Sequence, residues 1–332
     1  MNADFIASFL YSVIRITTPL LYGALGALIC KQGGVLHIAF EACMLFAAFF
    51  GVVASALTQS VFLGLLAGMA GGILVMLLFG YFTLQLNANL VLTGIALNTL
   101  ASGGTVFLMY LLCGEKGTSN SLPSLVFPSV NIPVIKDIPF LGTVLSGHNI
   151  LTYVAFIMPV FVYLLIFKTP LGLRIRSVGE NENAAASVGV NVTRTKYITL
   201  IIGGAVTSLG GMFMSMGYLS WFARDMIAGR GFMAIAAQNL GNAAVVPTFI
   251  TSILFGLANA LAVMLQTLNL PAEIFQAMPY VVTLIGLAAY SSSQRKEKRQ
   301  LGKKMENCRA TGARILVEVS GNLYREPINI IC

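Results

Sequence analysis

The chain has 332 residues, of which 57% are hydrophobic and only 10% charged, against roughly 25% charged in an ordinary soluble domain. With a mean hydropathy of +0.84, the composition excludes a water-soluble fold and predicts an all-α polytopic membrane protein. The net charge of +8 does not point to nucleic acid, because nine of the 20 basic residues follow position 290 and five more share one loop.

Apolar runs long enough to cross a roughly 30 Å hydrocarbon layer recur at 6–29, 35–57, 61–85, 90–113, 150–167, 197–219, 246–267 and 275–290. The first is interrupted by Arg15 and Pro19 and reads as a spanning segment rather than a cleavable signal. A shorter, more polar segment covers 231–244, so roughly eight to ten membrane segments are expected, broken helices included. Small residues in runs such as "GLLAGMAGG" (64–72) let helix backbones approach closely. The segment 114–149, with Pro123, Pro128, Pro133 and Pro139, reads as a long loop. Cys30, Cys43, Cys113, Cys308 and Cys332 show no paired spacing, which predicts free thiols.

The polar stretch "PLGLRIRSVGENENAAASVGV" (170–190) is out of character with the rest. Gly172 and Gly179 are expected to break the chain, Asn181 or Asn183 to cap a short helix over 180–189, and Gly189 to close it, with Val178, Ala185 and Val188 presented outward. Lys168, Arg174, Arg176, Arg194 and Lys196 flank it, and by the positive-inside rule this loop (168–196) and the basic tail (293–332) are both cytoplasmic. It follows that 114–149 is external and that 231–244 crosses or nearly crosses as a broken helix. Placed without gaps over "GFMAIAAQNLGNAAV" (231–245), "GVLHIAFEACMLFAA" (34–48) pairs Ile38 with Ile235 and Glu41 with Gln238, which suggests an inverted repeat. In the tail, "ARILVEVS" has strand character.

Polar residues inside apolar segments mark a permeation path or a structural need. The candidates are His37, Glu41, Asn98, Gln238 and Asn239, with Asn259 and Gln266 beyond them. Glu41 reads equally as a substrate contact and as a hydrogen-bonding partner for broken-helix backbone in the other half. His37 reads as a ligand or as a histidine satisfied by a neighbour. Arg224, Asp225 and Arg230 are placed near the outer mouth, paired with each other or facing a partner. A membrane enzyme is a weak rival reading, since the two histidines, His37 and His148, lie far apart in the sequence and no HExxH or GxSxG occurs. No GxxxxGK[ST] loop is present either, so ATP hydrolysis belongs on a separate subunit. No cofactor or metal is expected on this chain.

The stretch 170–192 resembles the coupling segment of permease subunits of bacterial ABC importers, in the branch that includes ribose-type, branched-chain-type and nucleoside permeases. "TPLLYGALGALICKQGGVLHIAFEACML", "GRGFMAIAAQNLG", "LFGLANAL" and "MPYVVTLIGLAAYS" extend the likeness over about 1–292, the expected transmembrane domain, and "GVLHIAFEACML" and "AMPYVVTLIGLA" are most similar to nucleoside permeases served by basic-membrane-protein-type lipoproteins. The chain departs from that pattern at Ala42, where members usually have glycine, near His37 and Ala39, and at "NAAVVP" after Gly241. The resemblance implies an importer subunit in the bacterial cytoplasmic membrane, partnered by an ABC ATPase, a second permease, identical or related, and an external substrate-binding lipoprotein. It implies docking on the ATPase through Arg176, Gly179, Glu180, Asn181, Ala185 and Gly189. Ribose or another simple sugar is the alternative cargo, and a proton-coupled secondary transporter with Glu41 at its centre the alternative class.

Overall fold

The computed structural model describes residues 3–131, 141–217, 219–265, 315–317 and 328–330. The chain divides into a unit spanning Met1–Tyr280 and one spanning Val281–Cys332. Among the described residues, seven helices are long and apolar enough to cross a membrane. These are α1 (Ala3–Gln32), α2 (Phe40–Thr58), α3 (Val61–Gly80, continued by a π turn over Tyr81–Gln85), α4 (Leu90–Cys113), α6 (Ile150–Lys168), α9 (Val192–Met212, continued by a π turn over Phe213–Gly217) and α11 (Val245–Leu265). The short helices are α5 (Leu141–Leu145), α7 (Pro170–Glu180), α8 (Glu182–Ser187) and α10 (Arg230–Leu240). The run expected at 275–290 and Gln266, Cys308 and Cys332 lie outside the described residues.

The long helix α1 is the axis of the bundle, packed against α6, α9, α10 and α11. Leu20, Leu21, Tyr22, Leu25 and Leu28 are fully buried, whereas α3, α4 and α6 turn large side chains such as Phe62, Leu92, Phe107 and Ile157 outward. An apolar outer face on peripheral helices suits contact with lipid tails, which removes the hydrophobic drive for burying it. Small residues bring the inner helices together. A β-carbon on Gly211 of α9 would lie 2.8 Å from Met44 Cα in α2, so only glycine permits that crossing.

Contacts at the two ends of α1 fix how the elements run. Near its start, Tyr11 stacks on His148 with ring centroids 4.0 Å apart. His148 belongs to β2 (His148–Asn149), which pairs antiparallel with β1 (Ser129–Val130). The end of α2 and the end of α9 reach this same hairpin region, through Leu125 N donating to Ser55 Oγ (3.2 Å) and Asn149 Nδ2 donating to Gly217 O (2.9 Å). The other end of α1 meets α7. The long segment 114–149 is therefore not bare loop; it also holds Phe222 N against Ser119 Oγ at 2.8 Å.

Three expectations change. The second spanning helix starts at Phe40 rather than 35, leaving 33–39 irregular. Gly172 and Gly179 do not break the chain: Thr169 caps α7 by accepting from Gly172 N (3.0 Å), Pro170 occupies the first turn, and the helix runs on to Glu180. The gapless pairing of 34–48 with 231–245 sets irregular backbone at Ile38 over the middle of α10 at Ile235, so those positions are not equivalent in local structure. In the second unit, Ile315–Val317 forms the expected strand, paired antiparallel with Ile328–Ile330.

Candidate functional site

Two interruptions of helix lie side by side, 33–39 between α1 and α2, and 219–229 before α10. Asp225, Ala228 and Gly229 have positive φ (49°, 49° and 77°), so the second interruption is a tight, irregular path. Its amide groups need partners, because backbone polar groups away from water are costly to leave unpaired. Glu41, in the first turn of α2, supplies them: Oε1 accepts from Gly229 N at 2.8 Å and Oε2 from Gly231 N at 2.7 Å. A carboxylate at a helix N-terminus also complements the helix dipole. Asn98 of α4 clamps the first interruption in the same way, Nδ2 donating to Ile38 O and Oδ1 accepting from Ala42 N, both at 3.0 Å. Both residues are thus bonded to the backbone of the broken helices.

The other three candidates converge. His37, Gln238 and Asn239 line one cavity of about 340 Å³ together with Lys31 and Phe40. His37 is held by Phe40, stacked at 4.0 Å, and Phe79, tilted at 4.7 Å, and both its ring nitrogens are buried with no hydrogen-bond partner among the described residues. Gln238, 2% exposed, has a buried Nε2 that is also without a partner among the described residues. Lys31 Nζ donates to Asn239 Oδ1 at 3.0 Å, and Gln32 Nε2 to Ala243 O at 2.8 Å, tying the end of α1 to the end of α10. Sequence reading missed Lys31 and Gln32. The signal was there, a basic residue closing a spanning run, but it also fits a plain boundary marker. Asn259 sits apart, its Nδ2 3.3 Å from Met233 Sδ.

Near the start of α10, Asp225 accepts from Ser102 Oγ at 2.6 Å and pairs with Arg224 at 3.4 Å, while Arg230 donates to Ile227 O at 3.0 Å. The Ser102 bond ties α4 to the 219–229 segment, and of the mutual pairings expected there the one between Arg224 and Asp225 is present.

At the opposite end of the bundle from the hairpin, α7 and α8 form the polar face. Asn181 caps α8, its Oδ1 accepting from Ala184 N at 3.0 Å, and Gly189 (φ 84°) ends it. Val178 and Ala185 are buried inside the chain and only Val188, 78% exposed, points out. Glu180 is exposed, and Arg176 lies 4.9 Å over the Phe167 ring. Lys196 bridges to Glu182 at 2.6 Å, joining α8 to α9. Gly179 abuts the end of α1: a β-carbon there would overlap Gln32 O and come within 3.1 Å of Gly34 N. Backbone contact thus runs from α7 directly to the linker that carries His37.

Comparison with known proteins agrees with this arrangement. Residues 9–287 match the family model described as branched-chain amino acid transport system / permease component. The chain is 32% identical over 283 residues to the guanosine ABC transporter permease protein NupQ of Bacillus subtilis, covering 82% of this chain and 88% of that one. It is 30% identical over 285 residues to the nucleoside ABC transporter permease protein NupC of Lactococcus lactis, covering 82% and 89%. Among solved structures, PsaBC from Streptococcus pneumoniae in complex with Fab superposes with a TM-score of 0.50 at 15% identity, covering 83% of this chain and 89% of that one, which is a likeness of fold alone. With seven helices long and apolar enough to span a membrane among the described residues, a broken-helix core and a match over most of its length, the chain belongs to the permease component family of branched-chain amino acid transport systems, as a multi-pass integral protein of the cell membrane.

Proposed function

We propose that this chain is the membrane-spanning subunit of an ABC importer for nucleosides, working with a separate ATPase, a second permease and an external substrate-binding lipoprotein. The observation that carries the reading is the contact of Gly179 with Gln32 and Gly34. It lets a displacement of α7 and α8 act without slack on the 33–39 linker, and so on the cavity. The basic residues around α7 and α8 put that face in the cytoplasm by the positive-inside rule, where a nucleotide-hydrolysing subunit finds ATP. The cargo follows the relatives, whose names specify guanosine and nucleoside.

In this mechanism the chain does no covalent chemistry. ATP bound by the partner closes the ATPase pair, α7 and α8 shift with it, and the 33–39 and 219–229 interruptions change their separation across the Glu41 contacts. Glu41 speaks against a proton-coupled carrier, since both its oxygens are engaged by backbone amides.

The docking face is tested through exposed residues. Glu180→Lys with Val188→Asp alters the surface without disturbing the buried Val178 and Ala185. A P-loop ATPase is expected to copurify with the tagged wild-type chain from solubilised membranes and to be lost from the double variant. An intact wild-type chain that arrives with no ATPase overturns the reading.

A further inference from the structure

A second cavity, of about 540 Å³, lies between α7 and the start of α9. Arg174 of α7 and Arg194 of α9 both line it, with Leu171, Val190 and Ile198 as its apolar wall. Among the described residues neither guanidinium has a hydrogen-bond or ion-pair partner, whereas nearby Lys196 is bridged to Glu182. No acidic side chain lines the cavity. Asn191 Oδ1, an acceptor in the lining, is already taken by Arg194 N at 2.9 Å. Two positive charges on one space with no counter-charge repel each other, and an anion bound between them removes that cost.

The level of the cavity in the membrane says which anion fits. The apolar span that contains α9, Val192–Gly217, has 26 residues. That is about 39 Å of helix, against roughly 30 Å of hydrocarbon, so its first turn reaches into the headgroup layer, and Arg194 stands in that turn. Deeper along the same face of α9 come Ile198 and the exposed Ile201, four and seven positions on. An anionic headgroup at the arginines thus continues into an apolar track for its acyl chain, which a carboxylate on a docked protein has no use for. Guanidinium forks match phosphate oxygens, and basic pockets between membrane helices on the cytoplasmic side suit anionic headgroups. We propose that this cavity binds the phosphodiester headgroup of an anionic phospholipid of the cytoplasmic leaflet, held by Arg174 and Arg194. The lipid bridges α7 to α9 beside the exposed Val188, which also lines the cavity. The inference uses the cytoplasmic orientation of this face and does not depend on the cargo.

The test is bound lipid counted by native mass spectrometry on the full solubilised chain, offered dioleoyl phosphatidylglycerol and dioleoyl phosphatidylcholine in equal amounts. The acyl chains are identical, so a preference belongs to the headgroup. Wild type is expected to retain phosphatidylglycerol selectively. Arg174→Gln and Arg194→Gln are each expected to lower that preference by about fivefold, the effect of one basic residue at an anionic membrane surface. Lys168→Gln removes the same charge from the same loop but outside the cavity lining, and is expected to leave the preference intact. No preference in wild type, or an equal drop in all three variants, overturns the site. Release of the lipid by inorganic phosphate, but not by chloride at the same ionic strength, assigns the cavity to a soluble phosphate and overturns the lipid. An unchanged preference in either arginine variant also overturns it, and loss of the copurifying ATPase from that variant then assigns the cavity to the ATPase.

Discussion

Glu41 illustrates how a charged residue is retained in an apolar segment. Its two oxygens accept the Gly229 and Gly231 amides at 2.8 and 2.7 Å, and Gly231 has no β-carbon because one would come within 2.5 Å of Glu41 N. Glu41→Ala leaves both amides without that acceptor, and an unsatisfied buried donor costs roughly 1–3 kcal/mol. A loss of about 2–4 kcal/mol is expected, read as a lower unfolding temperature of the detergent-solubilised chain, with Glu41→Gln intermediate because it keeps an acceptor for one amide. Lost transport at unchanged thermal stability would instead assign Glu41 to the path. Asn98 plays the matching part on the other interruption. Both residues are recognisable in the sequence as polar groups in grease; their partners, 188 and 56 positions away, are not.

Between elements, close approach at glycine decides which helices pair. Gly211→Ala drives a methyl group into the Met44 backbone, and overpacking of this kind costs typically 1–3 kcal/mol. Gly103 on the peripheral α4 is the contrasting case, with nothing within 4 Å of the place a methyl group would take. Gly103→Ala is expected to be neutral or to stabilise by up to about 1 kcal/mol through helix propensity. Thermal unfolding of the two variants side by side checks the pair, and equal shifts would show that the α2–α9 crossing tolerates a wider gap. The sequence marks both glycines alike. Only their neighbours separate them.

Across the whole molecule, transport depends on carrying a movement from the polar face to the cavity. Gly179→Ala places a methyl against Gln32 and Gly34 without altering the exposed Glu180 or Val188. ATPase association is expected to survive, while cargo moved per ATP falls by about fivefold, the effect of losing roughly 1 kcal/mol of coupling. Measuring uptake and ATP hydrolysis in the same vesicles checks this; a normal ratio would exclude the α7–α1 contact as the transmitting element.

Membrane residence, the long apolar spans, the polar α7–α8 face and the shortness of α10 were legible in the sequence, because each follows from local composition, capping and charge. Asn181 as a cap and Gly189 as a helix end belong to that class. Tertiary structure alone decided that Gly172 and Gly179 sit within a helix, that Val178 and Ala185 face inward, and that Glu41 and Asn98 bond the backbone of the broken helices while His37 and Gln238 share a cavity with Lys31. The physical reason is that a polar residue in an apolar helix announces only that it needs a partner. Which partner it finds, or that it finds none, depends on chain segments brought together from the far side of the fold.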